Sequence, residues 1–150
     1  MSGTPCPAFS LPGTSGLVFQ LSAAKKPLIV YFYPKDNTPG CTNESMAFRD
    51  LHDQFVAAGA SVVGISRDSL KSHENFKAKL NLPFELLSDS EETVCTLFDV
   101  IKMKNMYGKQ VRGIERSTFV IDSTGSIVRE WRKVKVPGHA EEVLDFVKSL

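Results

Sequence analysis

A six-residue apolar run, Leu28 to Tyr33, dictates the centre of any fold that this chain can adopt. The run is rich in β-branched and aromatic residues, which is typical of a strand buried on both faces. Beyond it, from about Thr42 to Ala58, apolar residues recur at intervals of three or four, the spacing of one helix face. Two prolines, a glycine and Cys41 separate the strand from the helix. The sequence therefore predicts a buried strand that leads into a helix with a cysteine at its start.

The position of Cys41 at the start of this helix has a chemical consequence. The N–H groups of a first helical turn lack partners within the helix and carry a partial positive charge, which favours an anion. A thiol placed there is shifted toward the thiolate, the reactive form of cysteine. The alternative is an inert cysteine that packs as a small apolar residue in the core. We favour an activated cysteine, because Thr-Pro-Gly directly precedes Cys41 at the helix start.

The rest of the chain has the pattern of an α/β fold. In chain order, the predicted elements are an edge strand Leu17–Leu21, a strand Ser61–Ser66, a helix from Asp68 or Ser69 to Leu80, an extended piece Phe84–Leu87, a short helix opened by a capping box at Asp89 and Glu92, a basic loop Ile101–Gly113, strands Ser117–Ile121 and Ile127–Lys133, and a helix after Pro137-Gly138. A crossover helix between strands 28–33 and 61–66 implies a parallel pair, and the later hairpin adds antiparallel strands. We expect one domain over residues 1–150, with a mixed central β-sheet flanked by helices.

Composition and charge give no sign of a nucleic-acid or membrane partner. The chain is 42% hydrophobic and 23% charged, with a net charge of +1, which is ordinary for a globular protein. No apolar run approaches the roughly 20 residues of a membrane span. Residues Met1 to Ser10 lack the basic and apolar regions of a secretory signal. These features predict neither a nucleic-acid partner nor a membrane partner.

The cysteines and histidines indicate the redox compartment of the protein and whether it binds a metal. The three cysteines are odd in number and widely spaced, which makes a poor disulfide framework: Cys6, Cys41 and Cys95. That pattern fits a reducing compartment, so we expect a cytoplasmic protein. The three histidines fall in separate segments without the spacing of a metal site, and we read them as structural or surface residues: His52, His73 and His139. We expect no metal and no cofactor.

The order of elements resembles the thioredoxin-like plan, in which a helix-start cysteine follows a central strand. Thioredoxins carry Cys-x-x-Cys at this place, whereas this chain has Cys41-Thr42-Asn43-Glu44. The second thiol is missing, which excludes dithiol exchange within one motif. A single activated thiolate of this kind points to an oxidant as its target.

The residues around Cys41 resemble a more specific family. Pro34-x-x-x-Thr38-x-x-Cys41 is similar to the active-site pattern of peroxiredoxins. The longer string over residues 31–44 resembles the bacterioferritin-comigratory, or peroxiredoxin Q, branch. Further similarity lies in residues 87–89, 113–119 and 136–139. The resemblance covers nearly the whole chain and implies a thioredoxin-like fold with thiol-dependent peroxidase activity.

This resemblance implies a role for each of five residues. Cys41 is the expected nucleophile, which attacks a peroxide oxygen and becomes sulfenic acid. The hydroxyl of Thr38 would hydrogen-bond the thiolate and the peroxide, and Pro34 would shield the thiolate from water. The N–H groups of Gly40 and Cys41 would help to hold the peroxide. Arg116, at the start of a later strand, would stabilise the thiolate and the charge that passes to the leaving oxygen.

Three of these assignments have structural alternatives. Thr38 is also a plausible helix cap, and Pro34 is a turn residue under either interpretation. Arg116 could be an ordinary surface residue. Glu44 favours the helix dipole where it stands and could also pair with Arg116; the two interpretations are equally weighted.

The second half of the reaction departs from the usual patterns of this branch. Many peroxiredoxin Q proteins carry a resolving cysteine five residues after the nucleophile, where this chain has Met46. Others place it in the next helix, which here contains no cysteine. Cys95 is expected to pack in the core, and Cys6 lies in a mobile lead-in. The resemblance therefore implies a one-cysteine mechanism.

In that mechanism an external thiol reduces the sulfenic acid, and the expected reductant is thioredoxin, glutaredoxin or glutathione. The resemblance also implies that the protein is a monomer. Two alternatives stay open at this point. One is an intramolecular disulfide between Cys41 and Cys95 or Cys6. The other is a thioredoxin-fold chaperone or binding domain without peroxidase activity.

Overall fold

The computed structural model describes residues 4–150. The strands are β1 (Thr4–Pro5), β2 (Ser10–Pro12), β3 (Val18–Gln20), β4 (Leu28–Phe32), β5 (Ser61–Ser66), β6 (Glu85–Ser88), β7 (Ile101–Met106), β8 (Lys109–Ile114), β9 (Ser117–Ile121) and β10 (Ser126–Trp131). The helices are α1 (Pro39–Asp50), α2 (His52–Ala57), α3 (Leu70–Leu80), α4 (Thr93–Leu97) and α5 (His139–Lys148). Of the helices in this range, none combines the length and the apolar character needed to cross a bilayer.

The central sheet is mixed, as the sequence predicts. Its six strands run in the order β1-β10-β9-β4-β5-β6. Strand β4 pairs in parallel with β5 and antiparallel with β9. Strands β9 and β10 form the predicted antiparallel hairpin. The apolar run that forms β4 therefore lies in the middle of the sheet, with partners on both sides.

Residues of β4 and Tyr33, which directly follows it, alternate between two hydrophobic cores, one on each face of the sheet. Ile29, Tyr31 and Tyr33 pack with Cys41 and with apolar residues of α1, α2, α3 and α5. We call this side the Cys41 face. Leu28, Val30 and Phe32 pack on the opposite side, together with Cys95 of α4. We call that side the Cys95 face.

The basic segment predicted as a loop, Ile101–Gly113, is instead a β-hairpin of β7 and β8. Its turn is Tyr107-Gly108, where both residues have positive φ values, 53° and 77°. Two residues with positive φ form the type of turn that matches the twist of a tight hairpin. Within the described chain, these two strands pair only with each other. The prediction was wrong because the alternation of apolar and polar residues is confined to Ile101–Lys104, which is too short to distinguish a half-buried strand from a loop.

The predicted capping box at Asp89 and Glu92 is also wrong in its second half. The Asp89 carboxylate does cap α4, since it accepts hydrogen bonds from the N–H groups of Val94 and Cys95 at 3.2 and 2.7 Å. Glu92 adopts a left-handed conformation with φ 64° and does not reach back to the helix. Its carboxylate instead accepts hydrogen bonds from Arg67 and from Arg112.

Two further boundaries differ from the sequence prediction. The helix predicted from Thr42 begins earlier, at Pro39, and divides at Leu51 into α1 and α2. The predicted edge strand is shorter, and β3 pairs with β2 in a separate two-stranded sheet. Proline at the first helical position is favoured because its missing N–H would have no partner there.

Candidate active site

Cys41 lies in the first turn of α1, directly beyond the end of the central strand β4. Thr38 precedes the helix in an extended conformation, with φ −91° and ψ 153°, and its carbonyl accepts the N–H of Thr42 at 2.8 Å. The N–H groups of Gly40 and Cys41 belong to the first turn, which has no acceptors within the helix. The cysteine is only 1% exposed. The fold thus places a buried sulfur where the helix favours an anion.

Arg116 connects Cys41 to Glu44 from the segment between β8 and β9. Its Nη2 donates to the Cys41 sulfur at 3.4 Å, and its Nη1 donates to Glu44 Oε1 at 2.7 Å. The side chains of Arg116 and Glu44 are 16% and 2% exposed. The guanidinium is therefore an internal cation with one carboxylate and one sulfur as partners. The sequence left two interpretations of Glu44, a helix-dipole role and an ion pair with Arg116, and the structure contains the ion pair.

Gly40 makes room for this guanidinium. A Cβ atom added to Gly40 would lie 3.1 Å from Arg116 Nη2, closer than an ordinary van der Waals contact. A side chain at this position would require the guanidinium to shift by a few tenths of an ångström. The glycine of the sequence motif thus contributes space as well as a backbone N–H.

Thr38 and Pro34 lie beside the site without contacting the sulfur through a hydrogen bond. The Thr38 hydroxyl donates to the Lys35 carbonyl at 2.9 Å, so the hydrogen bond expected from Thr38 to the thiolate requires rotation of this side chain. Pro34 is half-buried at the exit from β4. The structure thus joins Cys41, Gly40 and Arg116 directly. Thr38 and Pro34 lie in the loop between β4 and α1, residues 33–38, which we call the entrance loop.

Comparison with known proteins gives the family. Residues 2–130 match the AhpC/TSA family. Peroxiredoxin Bcp of Xanthomonas campestris pv. campestris is 58% identical over 122 residues, which cover 81% of this chain and 76% of the relative. Peroxiredoxin Bcp of Bacillus subtilis is 48% identical over 149 residues, which cover 99% of this chain and 95% of the relative. This chain is a peroxiredoxin of the AhpC/TSA family.

A solved structure extends the comparison to the fold. It is that of the Xanthomonas campestris bacterioferritin comigratory protein, which was studied for its alkyl peroxide reduction activity. It has a TM-score of 0.89 and 53% sequence identity, and the match covers 94% of this chain and 90% of that one. The resemblance of the sequence to the peroxiredoxin Q branch and the expected thioredoxin-like fold are both confirmed. The peroxiredoxin is thus an enzyme, a thiol-dependent peroxidase.

The other two cysteines of this peroxiredoxin lie on the Cys95 face. All three cysteines, which fall within the described range, are free thiols. Burial and the neighbouring Asp89 carboxylate raise the pKa of Cys95 well above its ordinary value. Burial raises the pKa of Cys6 to about 11. Both groups are therefore protonated at neutral pH and separated from Cys41 by the sheet.

A buried polar cluster behind the entrance loop was missed by sequence reasoning. The Asp36 carboxylate accepts hydrogen bonds from the Tyr33 hydroxyl at 2.6 Å and the Ser72 hydroxyl at 2.8 Å. It also lies 2.7 Å from His73 Nδ1, whose ring is 0% exposed. The other ring nitrogen, Nε2, lies 3.0 Å from the Leu87 carbonyl and donates to it, because a carbonyl can only accept. One signal was present in the sequence: His73 lies at helical spacing from the buried Phe76.

The same cluster has the donor types of a metal site. Asp36, Asp68 and His73 each bring one potential ligand atom within 4.8 Å of the others. Asp68 Oδ2 accepts hydrogen bonds from the Asp36 N–H at 2.9 Å and from the Ser66 hydroxyl at 2.5 Å. Hydrogen bonds within the protein therefore account for the arrangement.

Glu44 is the one strongly perturbed carboxylate next to the sulfur. Its Oε2 atom is buried and lacks a hydrogen-bond partner within the described residues. Burial outweighs the attraction of Arg116 and raises the pKa of Glu44 from 4.5 to about 7. The folded protein therefore keeps a proton on this group at pH values where the unfolded chain has released it.

The difference between the folded and unfolded pKa of Glu44 makes the stability of the protein depend on pH. The substitution Glu44→Gln should remove this contribution. Because the folded state binds the proton more tightly, the free energy of unfolding falls as pH rises from about 4.5 to about 7. The loss attributable to Glu44 is about 3 kcal/mol across this window. Urea unfolding of both proteins at pH 4.5 and pH 8 measures it. A pH dependence that is identical in wild type and Glu44→Gln contradicts the prediction.

Proposed function

We propose that this peroxiredoxin reduces hydrogen peroxide and organic hydroperoxides through a one-cysteine cycle at Cys41. The observation that carries the proposal is the Arg116 guanidinium, held 3.4 Å from a buried sulfur at a helix start. An arginine cannot lose its proton in a protein, so it stabilises negative charge at this sulfur throughout the cycle. The alkyl peroxide reduction activity of the Xanthomonas campestris relative supports organic hydroperoxides as substrates.

In the oxidation step, the Cys41 thiolate attacks the terminal oxygen of the peroxide. The S–O bond forms as the O–O bond breaks, the sulfur gives up two electrons, and an alkoxide or hydroxide leaves. The leaving oxygen then takes a proton from water. Arg116 and the N–H groups of the first turn of α1 stabilise the charge that develops on it. Thr38, once rotated away from Lys35, adds a hydroxyl to this set.

In the reduction step, an external thiolate attacks the sulfenic sulfur of Cys41. A mixed disulfide forms and, with one proton, water leaves; a second thiol then releases Cys41 and the external disulfide. The placement of the other cysteines supports this route, because Cys6 and Cys95 pack on the Cys95 face and the position in α1 five residues after Cys41 is Met46. Thioredoxin, glutaredoxin and glutathione are the candidate reductants. The electrons come from thiols, so the cycle needs no cofactor.

We also propose that the chain acts as a single-domain monomer in the cytoplasm. Three free cysteines suit a reducing compartment. The exposed large apolar side chains are distributed over separate elements, from Val18 in β3 to Leu150 at the C-terminus. Scattered exposure of this kind is normal for a monomer surface.

Mass spectrometry after one equivalent of hydrogen peroxide tests the proposal. We expect the wild-type protein to gain one oxygen at Cys41, and the Cys41→Ser variant to gain none and to consume no peroxide. The Cys6→Ser and Cys95→Ser variants should keep turnover with an external thiol, because neither sulfur faces Cys41. A disulfide between Cys41 and Cys95 or Cys6, together with loss of turnover in the matching serine variant, would replace the one-cysteine cycle with an intramolecular one.

A further inference from the structure

In the active site, one cation contacts two buried acids. The Arg116 guanidinium donates to the Cys41 sulfur at 3.4 Å through Nη2, and to Glu44 Oε1 at 2.7 Å through Nη1. Cys41 and Glu44 are buried, and only 16% of the Arg116 side chain is exposed. Because the two acids lie three residues apart on α1, they occupy the same face of that helix. The thiol and the carboxyl group therefore depend on the same positive charge.

The second oxygen of Glu44 indicates which acid holds a proton when the other is ionised. Oε2 is buried and has no hydrogen-bond partner among the residues that the structure describes. A buried carboxylate is costly unless donors satisfy its oxygens, so this arrangement fits a neutral carboxyl group. Burial accordingly raises the pKa of Glu44 to about 7 although Arg116 opposes the shift. The sulfur, by contrast, lies in the first turn of α1, where the helix favours an anion. With Cys41 as thiolate, the proton therefore stays on Glu44.

The titratable groups of the neighbouring elements leave this charge balance to the two acids and the guanidinium. Tyr31 of β4 is neutral, because burial raises its pKa well above the ordinary value. His139 of α5 is neutral as well, because burial lowers its pKa to about 4. Lys104 of β7 is a cation, but its ammonium donates to the Ile114 carbonyl. The guanidinium is the cation that contacts both acids.

Oxidation of Cys41 removes the anion that balances this guanidinium. The thiolate attacks the peroxide, the S–O bond forms as the O–O bond breaks, and the sulfur ends as neutral sulfenic acid. Arg116 cannot lose its proton, so a nearly buried cation is left without a counterion unless Glu44 ionises. A carboxyl group releases its proton more readily when a neighbouring anion disappears and the neighbouring cation remains. Oxidation therefore favours the ionised form of Glu44.

We propose that Glu44 is a positioning residue that releases a proton when Cys41 is oxidised and regains it when Cys41 is reduced, so that Arg116 always contacts one anion. This role rests on the proposed cycle at Cys41. On oxidation, Glu44 releases one proton while the leaving hydroxide or alkoxide gains one, so that together they take none from the solvent. On reduction, two external thiols become a disulfide, the sulfenic oxygen leaves as water, the Cys41 thiolate forms again and Glu44 is reprotonated. Glu44 acts through Arg116 and makes no bond to the peroxide.

Proton uptake during a single oxidation tests this role. Wild type, Glu44→Gln and Glu115→Gln are mixed at pH 7 in weak buffer with one equivalent of hydrogen peroxide, and an indicator dye records the protons taken from the solvent. Mass spectrometry gives the fraction of Cys41 that gains oxygen, and thiolate absorbance in the ultraviolet verifies that Cys41 is ionised before mixing. Glu115 is the matched control: it is half-buried, directly precedes Arg116 and forms no ion pair within residues 4–150.

We expect Glu44→Gln to take up about one proton for each Cys41 oxidised, and wild type and Glu115→Gln to take up about half a proton or less. A second measurement needs the wild type alone. Its infrared difference spectrum should lose the C=O band of a protonated carboxyl group on oxidation, and Glu44→Gln should not show this loss.

The outcomes separate the role of Glu44 from the cycle itself. Equal proton uptake in wild type and Glu44→Gln overturns the role of Glu44. So does a Cys41 that is not ionised in Glu44→Gln before mixing, or a wild-type infrared spectrum that keeps its protonated carboxyl band. Absence of any added oxygen on Cys41 in the wild-type protein overturns the proposed cycle, and this role with it.

Discussion

Replacing Arg116 with methionine is expected to slow the oxidation of Cys41 by hydrogen peroxide by a factor of about 10² to 10³. The guanidinium is fixed by Glu44 at 2.7 Å and lies 3.4 Å from the sulfur. In the proposed oxidation step it stabilises both the thiolate and the charge on the leaving oxygen without reorganising during the reaction. Methionine keeps much of the side-chain volume and removes the charge and every donor.

Time-resolved mass spectrometry of Cys41 at several peroxide concentrations gives the rate constant for this comparison. The rate constant of Arg116→Lys should lie between those of wild type and Arg116→Met, because a lysine keeps the charge but lacks the planar guanidinium that reaches both Cys41 and Glu44. Arg112→Met is the matched control, since Arg112 is 52% exposed and pairs with Glu92; it should react within about twofold of wild type.

Loss of Arg116 also leaves Glu44 buried without its partner, which could lower the stability of the variant. The double variant Arg116→Met with Glu44→Gln removes that problem, because a neutral amide replaces the buried carboxylate. The double variant should fold and still oxidise slowly. Oxidation at the wild-type rate in a folded variant without Arg116 would show that the arginine has no part in the chemistry.

The central features of this fold could be predicted because their signals are local. The apolar run of β4 identifies a central strand, and Cys41 follows it at a helix start within the same stretch of chain. The contact with Arg116, 75 residues further along, was inferred only through the family resemblance, since no local pattern links the two residues. The fold brings them together because β4 and β9 are neighbours in the sheet.

The features that sequence reasoning missed depend on tertiary placement. The β7–β8 hairpin has only a short alternating apolar pattern because much of its surface is exposed, so its polar residues were interpreted as a loop. The hydrogen-bond partner of Thr38 depends on a side-chain torsion that no sequence pattern encodes. The separation of Cys41 from Cys95 by the sheet depends on which face each helix covers, and spacing along the chain carries no information on that.

Removing the carboxylate of Asp36 is expected to destabilise the protein by about 3 to 5 kcal/mol, because three groups lose a buried hydrogen-bond partner at about 1 to 3 kcal/mol each. The Asp36 and His73 side chains are 2% and 0% exposed, so water cannot replace the lost partner. In Asp36→Ala, the imidazole and the hydroxyls of Tyr33 and Ser72 all lose their acceptor. The Tyr33 hydroxyl and His73 Nδ1, which are buried, are then left without this hydrogen bond.

Urea unfolding measures the effect of Asp36→Ala as a lower midpoint at an unchanged slope. Asp36→Asn, which keeps the shape and one acceptor oxygen, should lose less. Asp145→Ala is the control, because Asp145 is exposed on α5, and it should change the free energy of unfolding by less than about 0.5 kcal/mol. A loss in Asp36→Ala no larger than this control would mean that the cluster does not stabilise the fold. Asp36 lies in the loop between β4 and Thr38, so we expect the same substitution to loosen the segment that leads into the first turn of α1. A one-cysteine cycle never requires that turn to unwind toward a second thiol of the chain, and a buried cluster that holds the loop rigid is compatible with every step of it.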